Sequence, residues 1–520
     1  MVRLGGSLAE LFVELFSIYK GKGEGSWMTE EKLPNWLKNR AHLSPDRPAI
    51  EFEGSTYTFL ELHRLTENMA GKLAASGIKA GEPCAVLLRN HIDSVVMIHA
   101  LFYLGAKIVV LNNKLTVREL SWQIKDSESM RLISEEGFIE KLSGIQSLLP
   151  DVEVLLKEEL PAQGTADVRD DFYLEDTATI MYTSGTTGHP KGVIQSFGNH
   201  WWSAVGSVLN LGLREEDSWY CAVPIFHISG LSILMKSVIY GMKVVLVEKF
   251  DEHEANRAIL NNGVTMISVV TAMLNRMLHD LGAARYPETF RCALLGGGPA
   301  PVHMLEACRE KGIPVYQTYG MTETASQIVT LAPENAMTKV GSAGKALFPS
   351  QLRIEKDGKI CGPGVPGEIV VSGPNVTKGY LNRLDATEQA ISGGWLYTGD
   401  LGYLDEEGFL YVLDRRSDLI ISGGENVYPA EIENVLSTHP AVFEAGVTGI
   451  DHETWGQVPL AFVVRHEGME VSEAELLAHC REGLATYKIP RNVLFLEELP
   501  RNGASKLLRR ELKKRWGDQK

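Results

Sequence analysis

The feature of this chain that most constrains its fold is a repeated alternation of short apolar runs with helix-like stretches. "CAVLLRN" (84–90) and "KIVVLNN" (107–113) have the β-branched runs typical of strands, and "HIDSVVMIHALFYLGA" (91–106) between them is helix-like. The alternation returns from "MKVVLVEKF" (242–250) to "PVYQTYG" (314–320). Such alternation predicts parallel sheets covered by helices. We therefore expect an α/β fold whose ligands bind at the carboxyl ends of its strands.

The 520 residues exceed what one hydrophobic core usually supports, so we expect more than one domain. A large N-terminal domain is predicted over residues 28–414, and its short, glycine-separated strands after about residue 340 predict a β-rich subdomain. Residues 415–520 have the pattern of a small α+β domain. Residues 1–27 are predicted to be an extension that the fold does not need, because "MTEEKLPNWL" (28–37) resembles an ordinary start.

Composition excludes several classes of protein. The 51 basic and 66 acidic residues give a net charge of −15, which argues against a nucleic-acid binder. No apolar run reaches the ~20 residues that a membrane-spanning helix needs. The six cysteines form no C-x-x-C pair, which predicts free thiols in a reducing cytoplasm rather than disulfides or a metal site.

The stretch "YTSGTTGHPKG" (182–192) predicts a phosphate site. It follows the strand-like "ATIMY" (178–182), and successive backbone N–H groups in a glycine-rich turn can bind an anion. It is not a Walker A loop, because His189 and Pro190 separate Gly188 from the lysine. The candidate phosphate-binding residues are Thr183, Ser184, Gly185, Thr186, Thr187 and Lys191.

Four further stretches carry candidate ligand-binding residues. "LLGGGPAP" (294–301) allows a flat ligand to approach the backbone at Gly297, Gly298 and Pro299. In "QTYGMTETASQ" (317–327), Glu323 beside a phosphate site suggests Mg²⁺ held jointly with phosphate oxygens. Asp400 in "YTGDLGY" could accept hydrogen bonds from a ribose diol, and Arg415 could donate to the same nucleotide. Lys506 in "PRNGASKLLRR" could bring positive charge to a phosphoryl group.

Taken in order, "YTSGTTGHPKG", "QTYGMTE", "YTGD", "DRRSDLIISGGENVYPAEIE" and "ASK" resemble the signature stretches of the adenylate-forming acyl-CoA synthetases and adenylation domains. The resemblance covers nearly the whole chain after Met28. It implies that an acid is joined to AMP with loss of diphosphate and then transferred to a thiol, normally that of coenzyme A. It assigns catalytic roles to Lys506, Glu323 and Thr183, the last also a phosphate-loop residue. Further nucleotide contacts are implied from Thr318, Tyr319, Gly320, Met321 and Thr322.

The resemblance also implies a mobile small domain. Ser417 matches the hinge position, where many relatives have Asp or Lys, and Gly423 and Gly424 match the segment that approaches the thiol. Relatives usually have a glycine directly before the lysine that Lys506 matches. This chain has Ser505 there, which weakens the assignment of Lys506.

The stretch "PIFHISGLSILMKSVIYG" (224–241) bears on the acid. His227 matches a position that lines the acyl pocket in the family, and Lys236 places one cation inside an apolar run. Burying an unpaired ammonium is expensive, so either Lys236 extends to the surface or it meets a second carboxylate on an aromatic acid. Ser229, Thr322 and Gln327 are further candidate contacts to this acid.

Three alternatives to an acyl-CoA synthetase for an aromatic acid with two carboxylates stay open at this point. The chain could activate an aryl or medium-chain monocarboxylic acid, or it could be a free-standing adenylation enzyme that loads a carrier protein, since no carrier domain is visible. A non-catalytic binding or scaffold relative would be expected to have lost Lys506, Glu323, Asp400 or the loop hydroxyls, and all are present. Homo-oligomerisation is left open by the sequence.

Overall fold

The structure is a computed structural model that describes residues 31–183, 190–297, 300–415, 418, 420–422, 425–427, 429–452, 455–484, 486–501 and 507–517. Among the described residues, no helix combines the length and the apolar character that a membrane-spanning segment needs. All six cysteines are free thiols, as the scattered spacing predicts.

The first large sheet has six strands. Neighbouring strands are parallel, except that Lys191–Ser196 and Thr177–Thr183 form an antiparallel hairpin at one edge. In spatial order the strands are Lys191–Ser196, Thr177–Thr183, Lys107–Val110, Pro83–Val86, Arg131–Ser134 and Glu153–Leu156. The strands predicted at 84–90 and 107–113 are present but shorter, because the chain leaves the sheet to form loops at its carboxyl end.

The second large sheet joins a parallel half to an antiparallel half. Its parallel strands, in spatial order, are Pro48–Phe52, Lys243–Leu246, Ser218–Cys221, Met266–Val270, Cys292–Gly296 and Val315–Met321. Ser55–Thr58 pairs antiparallel at the outer edge. The antiparallel half continues from the last parallel strand through Ser326–Leu331, Ser342–Ala346, Leu410–Arg415, Trp395–Leu404, Gly367–Ser372, Gln351–Lys356 and Lys359–Ile360, with Ile391–Ser392 beside Trp395–Leu404. This half is the predicted β-rich part.

Helices cover both sheets. The α-helices are Trp36–Leu43, Phe59–Ala75, Ile92–Leu104, Val117–Asp126, Ile139–Leu148, Phe197–Leu211, Ile228–Tyr240, Glu252–Asn261, Thr271–Leu281, Val302–Glu310, Leu384–Ala390, Pro429–Leu436, Glu473–Gly483 and Arg509–Gly517. Ile92–Leu104 is apolar around nearly its whole circumference, and all of its residues except Asp93 are buried. It shares one apolar cluster with Ile228–Tyr240 and with strands of both large sheets, so the two sheets have a common core.

The C-terminal residues form a five-stranded sheet of their own. Its strands are Glu425–Val427, Ile420–Ser422, Gly456–Arg465 and Val442–His452 in spatial order, with Val493–Phe495 parallel to Gly456–Arg465. A separate apolar cluster that includes Ile432, Leu436 and Leu476 lies against it. The predicted α/β class with a small C-terminal α+β unit is confirmed; the division at residue 414 stays a prediction. A short two-stranded sheet, Lys32–Pro34 with Asp171–Tyr173, completes the described strands.

Candidate active site

The phosphate-loop stretch begins and ends at one point of the first sheet. Thr183 and Lys191 are paired across the hairpin of Thr177–Thr183 with Lys191–Ser196. The intervening loop therefore starts at the carboxyl end of a strand, where ligands of such sheets bind. The predicted phosphate contacts Ser184, Gly185, Thr186 and Thr187 lie outside the described residues.

Glu323 lies in a short 3-10 turn, Thr322–Thr324, at the end of the strand Val315–Met321. The hydroxyl of Tyr380 donates a hydrogen bond to Glu323 Oε1 at 3.2 Å. The ring of the same tyrosine lies 5.0 Å from Lys191 Nζ. Burial, and then the neighbouring Glu323 carboxylate, raise the pKa of Tyr380 well above its ordinary value, so its hydroxyl remains a donor. Lys191 and Glu323, predicted from separate stretches, are thus brought together by a tyrosine that the sequence analysis missed.

Buried side chains hold the backbone on both sides of Glu323. Gln195 Nε2 donates to the carbonyl of Thr322 at 2.8 Å, and Asn375 Nδ2 donates to that of Thr324 at 3.0 Å. Ala325 and Ser326 have φ of 51° and 112°, which is unusual for residues other than glycine. Such a conformation persists only where the surroundings impose it, and it is common at functional sites. The sequence signal that could have indicated such a contact was a polar residue at the end of an apolar run, such as Gln195 within "GVIQS".

Gly320 is required by a close approach of two backbone segments. A Cβ at this position would lie 2.1 Å from the carbonyl oxygen of Ser326. Gly320→Ala is therefore expected to destabilise the protein by about 1–3 kcal/mol, as overpacking does, and to displace the Glu323 turn. Urea unfolding checks this, with Gly362→Ala as control, because a Cβ at Gly362 meets nothing within 4 Å. Equal stabilities of the two variants would contradict the expectation.

The predicted ribose-binding pair is also brought together. Asp400 and Arg415 are directly opposite each other on the antiparallel strands Trp395–Leu404 and Leu410–Arg415. The hydroxyl of Tyr319 donates to Asp400 Oδ2 at 2.8 Å and orients a carboxylate that is only 8% exposed. Tyr319 belongs to the strand Val315–Met321, which leads into the Glu323 turn, so ribose and metal candidates share one strand end.

Two further predicted residues lie on neighbouring strand ends of the same sheet. Cys292–Gly296, which leads into Gly297, runs parallel to Val315–Met321. Thr318 Oγ1 donates to the carbonyl of Val329 at 2.9 Å, which ties its side chain to the adjacent strand. Gly298 and Pro299 lie outside the described residues.

One face of the helix Ile228–Tyr240 carries candidate residues for binding the acid. Ser229, Ser232 and Lys236 are spaced three and four residues apart, so they share that face. Ser229 is exposed, whereas Ser232 and Lys236 are buried. The seven residue-to-residue steps from Ser229 to Lys236 rise about 10 Å along the helix axis, so the polar face runs from the surface into the core. The sequence analysis did not single out Ser232, whose hydroxyl lies 3.3 Å from Ser326 Oγ at the end of the Glu323 turn.

Lys236 is buried and has no anionic partner among the described residues. Its exposed fraction is 1%, and its ammonium makes no hydrogen bond or ion pair with them. The ring of Trp219 lies 5.1 Å from Nζ. Burial lowers the pKa of Lys236 to about 8. The interpretation of Lys236 as a residue that extends to the surface is therefore wrong, and its role as the cation of the acid pocket stays a prediction.

Lys236→Met is expected to stabilise the ligand-free protein near pH 7. A fall of the Lys236 pKa from 10.5 to about 8 corresponds to about 3 kcal/mol of folding free energy. Because the pKa is lower in the folded than in the unfolded state, this cost is complete below about pH 8 and fades as the pH rises towards 10.5. Urea unfolding should find the variant more stable at pH 7, with a smaller gap at pH 10. A less stable variant at pH 7 would mean that the ammonium already has an anionic partner.

Two other predicted acid contacts lie near this helix. His227 occupies the N-cap position of Ile228–Tyr240 and is half-buried, with its ring 4.7 Å from that of Phe226. Gln327 is 2% exposed, and neither its amide oxygen nor its amide nitrogen is hydrogen-bonded within the described part of the chain. A buried unpaired amide is costly, and a polar ligand would satisfy it.

The remaining predicted residues belong to the C-terminal region. Lys506, Ser417, Gly423 and Gly424 lie outside the described residues, and of Arg415 only the backbone is described. The described residues contain no group of three or more His, Cys, Asp or Glu side chains that could hold a metal ion by themselves. Mg²⁺ bound jointly by one carboxylate, such as Glu323, and substrate phosphates needs no such group.

Comparisons with known proteins agree with this geometry. Residues 37–381 match the family model described as AMP-binding enzyme, and residues 431–506 match the AMP-binding enzyme C-terminal domain. The 2-succinylbenzoate–CoA ligase of Geobacillus kaustophilus (strain HTA426) is 60% identical over 490 residues, which cover 93% of this chain and 98% of that protein. The o-succinylbenzoate CoA synthetase of Bacillus subtilis, solved with its acyl-adenylate intermediate, has a TM-score of 0.87 and 53% identity over 93% of this chain and 98% of that one. The same enzyme solved with ATP and magnesium ion has a TM-score of 0.87 and 52% identity, covering 93% of this chain and 100% of that one.

Proposed function

Because the chain belongs to the AMP-binding enzyme family, we propose that it is an ATP-dependent ligase that joins 2-succinylbenzoate to coenzyme A. The products are 2-succinylbenzoyl-CoA, AMP and diphosphate, and the reaction is a step of menaquinone biosynthesis. The enzyme is an AMP-forming acid–thiol ligase that uses ATP, Mg²⁺ and coenzyme A. Its free, mostly buried thiols suit a cytoplasmic enzyme.

The observation that carries the choice of acid is the buried Lys236. An ammonium at the inner end of a polar helix face, with no anionic partner in the part of the chain that the structure describes, is costly in the ligand-free protein. A substrate with one carboxylate to be adenylated and a second one directed further in, towards Lys236, would supply the missing partner. 2-Succinylbenzoate is an aromatic acid with two carboxylates. A fatty acid would leave the cation unpaired.

For the first half-reaction, the residues around the strand ends bind and orient the nucleotide. Thr183, Lys191 and the loop between them would hold the β- and γ-phosphates, and Asp400 with Arg415 would hold the ribose. Mg²⁺, when bound, neutralises phosphate charge, and Glu323 is the residue that would hold it. Lys506 would bring a further cation to the α-phosphate, where charge develops as the acid oxygen attacks. Fixed donors of this kind lower the barrier because they need no reorganisation during the reaction.

For the second half-reaction, the thiol of coenzyme A attacks the carbonyl of the mixed anhydride, and AMP leaves as a stable phosphate. We assign the hinge of the small domain to Ser417, and to Gly423 and Gly424 the segment that approaches the thiol. The absence of side chains at these two glycines would leave room for the pantetheine arm. The division into residues 28–414 and 415–520 belongs to the same proposal.

A panel of acids in a diphosphate-release assay, with and without coenzyme A, tests the function. We expect 2-succinylbenzoate to be used with the highest kcat/KM and its thioester to form only when coenzyme A is present. Preference for a monocarboxylic acid would identify a different ligase of the same family. The enzyme could instead release diphosphate without forming a thioester of coenzyme A. Transfer of the acyl group to an added carrier-protein thiol would then identify a carrier-loading enzyme.

A further inference from the structure

One tyrosine contacts both the lysine of the phosphate loop and the candidate magnesium carboxylate. The hydroxyl of Tyr380 donates to Glu323 Oε1 at 3.2 Å, and its ring lies 5.0 Å from Lys191 Nζ. Lys191 and Glu323 are 132 positions apart in the sequence. Lys191 lies on a strand of the first large sheet, and Glu323 lies in the turn between two strands of the second. Tyr380 is therefore a bridge between the two sheets at the place where the triphosphate would bind.

The backbone around this bridge is fixed to the loop hairpin. Residues 377–381, here called the bridging segment, run along the outer side of the strand Lys191–Ser196. Leu381 N–H donates to the carbonyl of Gly192 at 2.7 Å, and Ile194 N–H donates to that of Gly379 at 3.1 Å. These two hydrogen bonds connect the position of Tyr380 to that of the hairpin.

The bridging segment is also fixed to the turn that carries Glu323. Thr377 N–H donates to the carbonyl of Glu323 at 2.7 Å. Gly379 has a φ of 150°, and a Cβ there would lie 2.5 Å from Thr387 Cγ2, so only glycine suits this position. Tyr380 N–H donates to Thr387 Oγ1 at 2.9 Å, which fixes the tyrosine itself. The segment thus has one defined conformation between the two halves of the site.

We propose that Tyr380 is a positioning residue that sets the orientation of the Glu323 carboxylate for magnesium and couples it to Lys191 of the phosphate loop. The inference rests on the proposed function and adds a residue to it. A donor on Oε1 restricts rotation of the carboxylate, so its oxygens are presented to the metal in one orientation. Residues that orient metal ligands in this way typically change metal affinity by 10–100-fold when they are replaced.

Two variants separate the roles of the hydroxyl and the ring. Tyr380→Phe removes the hydrogen bond to Glu323 and keeps the ring beside Lys191, whereas Tyr380→Leu removes both. Calorimetric titration with ATP, with and without Mg²⁺, measures binding independently of turnover. For Tyr380→Phe we expect the ATP affinity without Mg²⁺ to be retained and the gain on adding Mg²⁺ to shrink about tenfold. Tyr380→Leu should weaken ATP binding in both conditions.

Tyr397→Phe is the matched control, since Tyr397 donates to another glutamate, Glu355, at 2.9 Å on the antiparallel half of the sheet. The Mg²⁺ concentration at half-maximal adenylation should rise in Tyr380→Phe and not in the control. In a Glu323→Gln background, Tyr380→Phe should change magnesium dependence no further. Additive effects, or a Tyr380→Phe variant with the magnesium dependence of the wild type, would overturn the inference. A wild type that adenylates no acid would instead overturn the proposed function.

Discussion

Lys236→Met is expected to lower kcat/KM for 2-succinylbenzoate by about 10²-fold or more, with the KM for ATP little changed. Removing one partner of a buried charge pair typically costs 2–5 kcal/mol, much of it from leaving the other charge unpaired. Here the charge left unpaired is the second carboxylate of the acid. Methionine has nearly the volume of the lysine stem, so the pocket should keep its shape. Steady-state kinetics with each substrate varied in turn measure the effect.

Lys243→Met is the matched control for this variant. Lys243 lies on the strand that follows the same helix and already has a partner, Glu51, at 3.0 Å. Its replacement should leave the KM for the acid unchanged. If Lys236→Met also left it unchanged, Lys236 would not belong to the acid pocket. If Lys236→Met gained stability and lost acid binding, Lys236 would be a residue that serves function at the expense of folding stability.

Glu323→Gln is expected to slow formation of the acyl-adenylate by at least about 10²-fold at millimolar Mg²⁺. The amide has no charge to hold the cation, although it can still accept the hydrogen bond from Tyr380. Single-turnover mixing of enzyme, ATP and acid, followed by quenching, measures this step. The second half-reaction, started from synthetic acyl-adenylate and coenzyme A, should be much less affected, because diphosphate and its metal have already left.

Glu388→Gln is the control for this prediction, since Glu388 is exposed on the helix Leu384–Ala390. In Glu388→Gln, both half-reactions should proceed at the rates of the wild type. Equal losses of the two half-reactions in Glu323→Gln would indicate a folding defect in place of a metal-binding role.

Local patterns were enough to predict the fold class. The strand and helix around residues 84–106 follow from periodicity alone, and the strand before the phosphate loop follows from "ATIMY" (178–182). Asp400 and Arg415 meet because two consecutive antiparallel strands place them opposite each other, a pairing of residues close in sequence.

Residues that act across long sequence separations could not be predicted in this way. Gln195 and Asn375 each bond to a backbone carbonyl of the Glu323 turn, 127 and 51 positions away. Tyr380 reaches Glu323 from 57 positions away. Such contacts depend on how the two sheets meet, and a single sequence has no local pattern that encodes it. Ser232, by contrast, lies four residues before Lys236 and could have been found from helical spacing.

The measurement that tests the central claim most directly compares three acids with wild-type enzyme and Lys236→Met. These are 2-succinylbenzoate, 4-oxo-4-phenylbutanoate, which lacks the ring carboxylate, and 2-butanoylbenzoate, which lacks the chain carboxylate. Our account predicts that the monocarboxylate without the carboxylate to be adenylated gives no product with either enzyme. The wild type should prefer the dicarboxylate to the other monocarboxylate by about 10²-fold in kcat/KM, and Lys236→Met should reduce this preference to about tenfold or less. A variant that kept the full preference would contradict it, because the second carboxylate would then be recognised somewhere other than at Lys236.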